Sequence, residues 1–466
     1  MERVLPKTLD YTDVLPLAVE SRARRRTFFP VNGQSFTGAG ANIIRIDISA
    51  DALLDTQHSY LRFNFRNDIS GDSVAKTCGM DYAGGHSFIK RLRVEQSGVV
   101  LEDINSYNRL MGAIVLPCQS GDDHHKERSI TELVQGKGQG TTLDNGMAGI
   151  ADLNGNTSRK ALGTAHNALG QLAASTDVDI CIPLNSGIFN NEKLIPLMLM
   201  SAPLTIEIEL DTPNAVVIWE DAAAGKDYTI SNVRYIANLI EVGGDVAQQL
   251  RMVQELSGGV LTLAGQTYRH FTGAITASTG DQVVNVPARV KSMKSLFFAS
   301  QSSGGPSVAN QASIGTGGNF KLSEYQLKIG SVVYPPTPVR CNFADGGADA
   351  GGVAPRRSEP LMELAKAWGN VGSTKGLGQL DFVSYGATED GVCASGAQYS
   401  FAPFGLDLEA FQRVAIESGV NTADRSLPIS LILNTAQAPT ATNVDVYVLA
   451  DALFYINADG SMSVSV

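Results

Sequence analysis

The phrase SAPLTIEI, starting at Ser201, returns as SLPISLIL at Ser426. Each is a serine, one free position, a proline, and then an alternation of apolar and polar residues. Proline lacks a backbone N–H and fixes φ, so within a sheet it is confined to a strand's first residue or to an edge. Beyond Pro203, Leu204, Ile206, Ile208 and Leu210 point one way and Thr205, Glu207 and Glu209 the other. Beyond Pro428, Ile429, Leu431 and Leu433 share one face. A period of two describes a strand with one buried side. A chain that writes the same strand twice, 225 residues apart, is constrained to fold as something built twice.

Other landmarks repeat in the same order. FTGA occurs at Phe36 and at Phe271. SYLRFNF, with Leu61, Phe63 and Phe65 on one face, has a counterpart in KSLFF around Leu296. LRVEQSGVV from Leu92 resembles LKIGSVV from Leu327, and all three intervals are 235 residues. A short helical stretch follows in each half. The first is EDINSYNRLMGAI, with Ile104, Leu110 and Ile114 apolar. The second is SEPLMELAKAW, with Ser358 as candidate N-cap and Pro360 near the first turn. After the Ser-x-Pro strand, VRYIANLI around Tyr235 answers VYVLADALF around Tyr447. Intervals that drift only through loops, over some two hundred residues, describe two similar domains and not a solenoid.

Between the copies lies GGDVAQQLRMVQELSGG. Asp245 is placed to cap it, Val246, Leu250 and Val253 fall at helical spacing, and Gly258 and Gly259 end it. The expected organisation is an N-terminal arm over 1–30, a first domain over 31–243, a linking helix over 244–259 and a second domain over 260–466. A length of 466 residues agrees, being too long for one ordinary core. Short strand-like runs separated by Gly, Asn, Asp, Ser and Pro point to all-β sandwiches or barrels, and 47 glycines supply the turns. Glycine-rich stretches at 117–176, 301–319 and 342–357 are expected to be loops crowning one end of the molecule.

Two tandem rolls joined by a helix resemble the double jelly-roll major capsid proteins of icosahedral DNA viruses. PVNGQSFTG, SYLRFNF and IKRLRVEQSGVVLEDINSYNRL resemble the first roll of capsid proteins from the Polinton-like virus and virophage group. YQLKIGSVVYPPTPV, LPISLILN and NVDVYVLADALFYINADGSMSVSV resemble the second. The resemblance implies an all-β fold of two jelly rolls and a homotrimer whose six rolls make a pseudo-hexagonal capsomer. It also implies partners in neighbouring capsomers and in minor capsid and penton proteins. The expected place is the virion, after synthesis inside the host cell.

Composition bears on the rival readings. A net charge of −11 argues against a surface that coats nucleic acid generally. No run of about 18 apolar residues predicts a membrane helix, and MERVLPKTLDYTDV lacks the apolar stretch of a signal peptide. Five widely spaced cysteines, Cys78, Cys118, Cys181, Cys341 and Cys393, form no CxxC and predict no disulfide framework. A two-sandwich glycan-acting hydrolase would carry a secretion signal, disulfides and paired carboxylates. A trimeric spike or carbohydrate-binding protein would not tile.

Chemical motifs are weak. Asp122, Asp123, His124 and His125 in GDDHHKE lack metal-ligand spacing. Lys137 in GKGQGTT is followed by glycine, where a phosphate loop needs Ser or Thr. No serine sits in a GxSxG elbow. His166 and His270 stand alone, and Asn156 with Ser158 makes a chance-level glycosylation sequon. No catalytic residue, metal site or cofactor is therefore assigned. The aromatic residues Phe63, Phe65, Tyr235, Tyr447 and Phe454 read as core. One dense basic run remains: Arg22, Arg24, Arg25 and Arg26 in ESRARRR. In an acidic chain it is expected to be an inward arm touching genome, an anionic membrane or a neighbouring subunit.

Overall fold

The computed structural model describes residues 21–68, 77–119, 128–133, 172–173, 175, 177–191, 193–219, 227–302, 314–341, 343, 357–369, 377, 380, 385–386, 389, 400–410 and 419–466. The first half contributes β1 (Ser21–Phe28), β2 (Ser35–Thr37), β3 (Ile43–Ile48), β4 (Leu53–Asn67), β5 (Thr77–Met80), β6 (Ile89–Gln96) and β7 (Val99–Asn105). After a helical run, Tyr107–Arg109, Leu110–Val115 and Leu116–Cys118, come β8 (Leu172–Ala173), β9 (Asp177–Ile182), β10 (Ile195–Pro196), β11 (Leu204–Leu210), β12 (Val217–Trp219) and β13 (Tyr228–Val242). The helix Gly244–Leu256 leads to β14 (Val260–Ile275), β15 (Gly280–Asn285), β16 (Met293–Ser302), β17 (Leu322–Ile329) and β18 (Val332–Arg340). A helix, Ser358–Ala367, precedes β19 (Pro403–Asp407), β20 (Ile429–Thr435), β21 (Thr442–Asn457) and β22 (Met462–Ser465).

The duplication is realised in the strand order of the main sheets. In the first half the sheets run β1-β13-β4-β10, with β2 on β13 and β9 on β4, and β3-β11-β6-β7. In the second they run β14-β21-β16-β19, with β22 on β21, and β15-β20-β17-β18. All pairings in these four sheets are antiparallel. Each half is a jelly roll, so the fold is all-β with two rolls in tandem. A small sheet, β12-β5-β8, flanks the first.

The two Ser-x-Pro phrases lead into β11 and β20, which hold the same place in their sheets: β11 between β3 and β6, β20 between β15 and β17. Ile206 and Leu431 are fully buried there. Burying one such side chain contributes roughly 1.5–3 kcal/mol. The opposite face of β11 carries Glu207 beside Arg93 and Glu209 beside Lys90. Phe63, Phe65, Tyr235, Tyr447 and Phe454 are all buried, as their alternation predicts.

Two echoes sit out of register. Tyr235 lies opposite Leu61, but Leu296 lies opposite Val448, so Val448 and not Tyr447 is the counterpart of Tyr235. The hairpin turns, at Ser97–Gly98 and Gly330–Ser331, put Leu327 in the place of Val94 and not of Leu92. The helix caps also differ from expectation. The linking helix is capped by Gly243, with no side-chain hydrogen bond, and its end is set by Gly258 and Gly259 at φ of 77° and 85°. Ser358 is the first residue of its helix, and Arg357 occupies the N-cap.

Both rolls point the same way. β13 runs into the linking helix at Val242, and β14 starts opposite Asn457. The helix packs at this end, where Gln254 Nε2 donates to the Ile456 carbonyl at 3.1 Å. Asp177, Ser302 and Arg340, beside the glycine-rich stretches, lie at the ends of strands away from the helix. But 314–319 is buried and not an end loop, 117–176 includes a helix at Arg128–Thr131 and β8, and most of the rest of these stretches lies outside the described residues. Of the expected arm, Ser21–Phe28 is a strand of the first roll, and Ser21 pairs with Val242 beside the helix.

Candidate functional site

The described structure concentrates its buried polar chemistry along the seam between the rolls. The helical run after β7 places Arg109, almost fully buried, into the second roll. Its Nε meets Asp445 Oδ2 at 3.2 Å, Nη1 donates to the carbonyls of Ile314 (2.7 Å) and Thr316 (2.6 Å), and Nη2 donates to that of Ser300 (3.0 Å). A buried guanidinium is tolerable only when charge and hydrogen-bonding capacity are both answered, as here. Asp445 is shared with His270, whose Nε2 lies 2.9 Å from Oδ1. Burial would raise the Asp445 carboxyl, but the His270 hydrogen bond and the Arg109 charge outweigh it and hold the group below the usual carboxylate range. The Tyr447 ring packs 4.8 Å from His270, and its hydroxyl donates to the Ser106 carbonyl at 2.8 Å.

Three further contacts close the seam. Asp81 accepts from the backbone N–H groups of Ile314 (3.1 Å) and Gly315 (2.8 Å). Glu102 Oε1 accepts from Gly187 N at 2.9 Å and Thr267 Oγ1 at 2.8 Å; burial nonetheless pushes this carboxyl up. Gln96 accepts from Met462 N at 2.6 Å and donates to the Gly460 carbonyl at 3.1 Å. Close backbone approach matters too. A Cβ added at Gly265 would stand 2.7 Å from the Gly187 carbonyl oxygen. None of Arg109, Asp445, Glu102, Asp81 or Gln96 was marked by a motif. Each sits among ordinary neighbours: Gln96 follows Glu95, Glu102 precedes Asp103, Arg109 follows Asn108, and Asp81 lies just past the end of β5.

The four arginines stand on edge strand β1, exposed. Arg24 Nη1 reaches Glu241 Oε1 at 3.1 Å, Arg25 Nη2 donates to Tyr60 Oη at 3.1 Å, and Arg26 lies 5.0 Å from the Phe28 ring centroid. Among the described residues no group of three His, Cys, Asp or Glu could hold a metal ion, and no helix is long and apolar enough to cross a membrane. His86 is buried against Glu132 Oε2 (3.2 Å) and the Tyr107 hydroxyl (3.4 Å), a packed cluster inside the first roll. Asp122, Asp123, His124, His125, Lys137, Asn156, Ser158, His166 and Cys393 lie outside the described residues.

No family model matches the chain, and no curated protein matches it in sequence. Solved structures match it along nearly its whole length. A chain of the Sputnik virophage, solved by cryo-EM, is 8% identical, with a TM-score of 0.57 over 100% of this chain and 93% of that one. The capsid model of PBCV-1 virus gives 10% identity and 0.56, over 98% and 99% of the two chains. The mavirus major capsid protein gives 10% and 0.51, over 100% and 96%. The fold is the double jelly roll of these capsid proteins. At such identities the likeness is one of architecture, carried by strand order and not by shared side chains.

Proposed function

We propose that this chain is the major capsid protein of an icosahedral DNA virus, three copies forming a pseudo-hexagonal capsomer that tiles the shell. The observation that carries the reading is the pair of rolls with one strand order, seated side by side with their loop-bearing strand ends pointing the same way. Six such rolls around a three-fold axis make a near-hexagonal block, and that outline suits edge-to-edge tiling. The buried Arg109–Asp445 seam supports it, because a rigid block needs its two rolls fixed to one another. The role is structural: sheets stand upright, the strand ends at Asp177, Ser302 and Arg340 take one surface, and the linking helix and the start of β1 take the other. The loop end would face outward and the helix end inward. Neighbouring capsomers, minor capsid proteins and penton proteins would complete the shell. The chain would be made inside the host cell and work in the virion without a cofactor.

Light scattering of the purified protein at micromolar concentration tests this directly. Three times the chain mass is expected, since obligate interfaces often bury about 2,000 Å² or more and leave no stable free subunit. Electron microscopy should show hexagonal blocks and, in particles, an icosahedral lattice. A well-folded monomer, or trimers that never tile in particles, would refute the capsomer role.

A further inference from the structure

The hydrogen-bond registers allow the two rolls to be laid over one another residue by residue. Leu61 lies opposite Tyr235, which lies opposite Phe28. Leu296 lies opposite Val448, which lies opposite Arg269. With Leu61 and Leu296 as counterparts, Phe28 falls on Arg269. Stepping back along both strands, Arg22, Arg24, Arg25 and Arg26 fall on Leu263, Gly265, Gln266 and Thr267. Of those positions Leu263 and Thr267 are buried, Gly265 is half-buried and Gln266 is exposed. They lie where the first roll seats itself on β14: Thr267 holds Glu102, Gly265 abuts Gly187, and the intervening Ala264 carbonyl accepts from Asn191 Nδ2 at 2.8 Å. The arginine strand is therefore the first roll's copy of a surface that, in the second roll, is a roll-to-roll contact.

The converse holds for the covering elements. The first roll covers β14 with β7 and with the segment after β9. Their counterparts in the second roll are β18 and the segment after β19. Val94 lies opposite Glu102 and Leu327 opposite Tyr334, so Tyr334 stands in the place of Glu102. Val332 is half exposed and Pro336 is exposed, Tyr334 packs partly against the second roll's own core and keeps the rest of its surface open, and Asp424, before β20, is exposed. Guanidinium planes stack on tyrosine faces and pair with carboxylates. A head-to-tail contact of this kind makes a ring where its rotation closes, as it would after three copies in the capsomer.

We propose that β1, through Arg22, Arg24, Arg25 and Arg26, is the seat for the second roll of a neighbouring copy, which lays β18 and the segment containing Asp424 across it. This rests on the capsomer reading and assigns the arginines to the subunit interface, in preference to genome or membrane. The test is a photo-crosslinking residue, benzoylphenylalanine, in place of Ala23 in the assembled protein. Irradiation is expected to join chains, with the linked peptides mapping to residues 332–340 or 419–428. Changing the four arginines together to Glu, or Tyr334→Arg, is expected to weaken association at least tenfold by light scattering, with the far-ultraviolet circular dichroism unchanged. If a charge-reversed variant fails to fold, the crosslink map decides alone. Crosslinks confined to one chain, or to other regions of the neighbour, overturn the assignment while a trimer still stands. Binding of duplex DNA or of phosphatidylserine vesicles by the intact trimer, lost on changing the four arginines to Gln, would also overturn it, since the strand would then be free. A monomeric wild-type protein overturns the capsomer reading itself.

Discussion

The two rolls share a strand order but treat the same sheet in opposite ways. In the second roll, the middle of that sheet, residues 295–300 of β16 and 444–448 of β21, is buried on both sides. Val444, Val446 and Val448 face its own core, while Tyr447 and Phe297 join the core cluster of the first roll. In the first roll, the matching sheet has Leu61, Phe63 and Tyr235 inside, but outside it shows Arg62 paired with Asp179, Arg66 paired with Asp68, and Arg25 on Tyr60. A duplicated domain thus need not duplicate its environment. One copy became half of an internal seam, and its twin kept a charged surface.

Removing the seam's own charge should have the largest effect. Arg109→Ala leaves Asp445 and three carbonyls facing an empty site, and should cost about 3–5 kcal/mol in chemical denaturation. A loss under about 1 kcal/mol would mean that the rolls hold together without it. Next come the twin strands. Ile206→Ala and Leu431→Ala should each cost about 2–5 kcal/mol, and by similar amounts if the rolls are equivalent in packing. A large inequality would show that one roll tolerates a cavity that the other does not.

The third prediction uses pH. The Asp445 carboxyl is depressed in the folded chain, so its stabilisation is present above the unfolded value of about 3.9 and is lost as pH falls through the lower folded value. Asp445→Asn should therefore be less stable than wild type near neutrality, with the gap narrowing below about pH 4. Glu102 has the opposite sign, because its carboxyl is raised by burial. Its contribution is full below the unfolded value and declines as pH rises through the raised folded one. Thermal melts of Asp445→Asn and Glu102→Gln across pH would separate the two groups, and parallel curves for wild type and Asp445→Asn would refute the assignment. The smallest effect belongs to the solvent side of β11. Glu207→Ala and Glu209→Ala remove partly exposed ion pairs with Arg93 and Lys90, and should each cost less than about 1 kcal/mol.

The legible part of the sequence was whatever one-sided burial writes into alternation. The Ser-x-Pro strands and the order of the two rolls follow from that; the linking helix follows from its spacing and its terminal glycines, since Val253 is half exposed and Gln254 is buried. The register of β21 is not legible because residues 444–448 are buried on both faces, so alternation carries no signal where Tyr447 and Val448 must be told apart. The seam was invisible for a different reason. Arg109 and Asp445 are separated by 336 positions. Nothing local distinguishes an arginine that will be buried from one that stays wet. The arginine run could be seen as unusual, but its membership of a sheet could not, since an edge strand with one Phe turned inward has too little apolar content to betray a period of two.

The helix Gly244–Leu256 has a consequence beyond joining two domains. At a rise of about 1.5 Å per residue it spans roughly 20 Å, enough to return the chain sideways along one end of the molecule without crossing to the other. The second roll is therefore laid down with the same heading as the first. Every protomer acquires a direction, and any layer of protomers packed side by side with a common heading inherits two chemically distinct surfaces. A sheet of such blocks cannot be turned over without changing which surface meets the solvent. Its curvature must then be set at the lateral contacts, where a small tilt repeated between blocks becomes the bend of the whole layer.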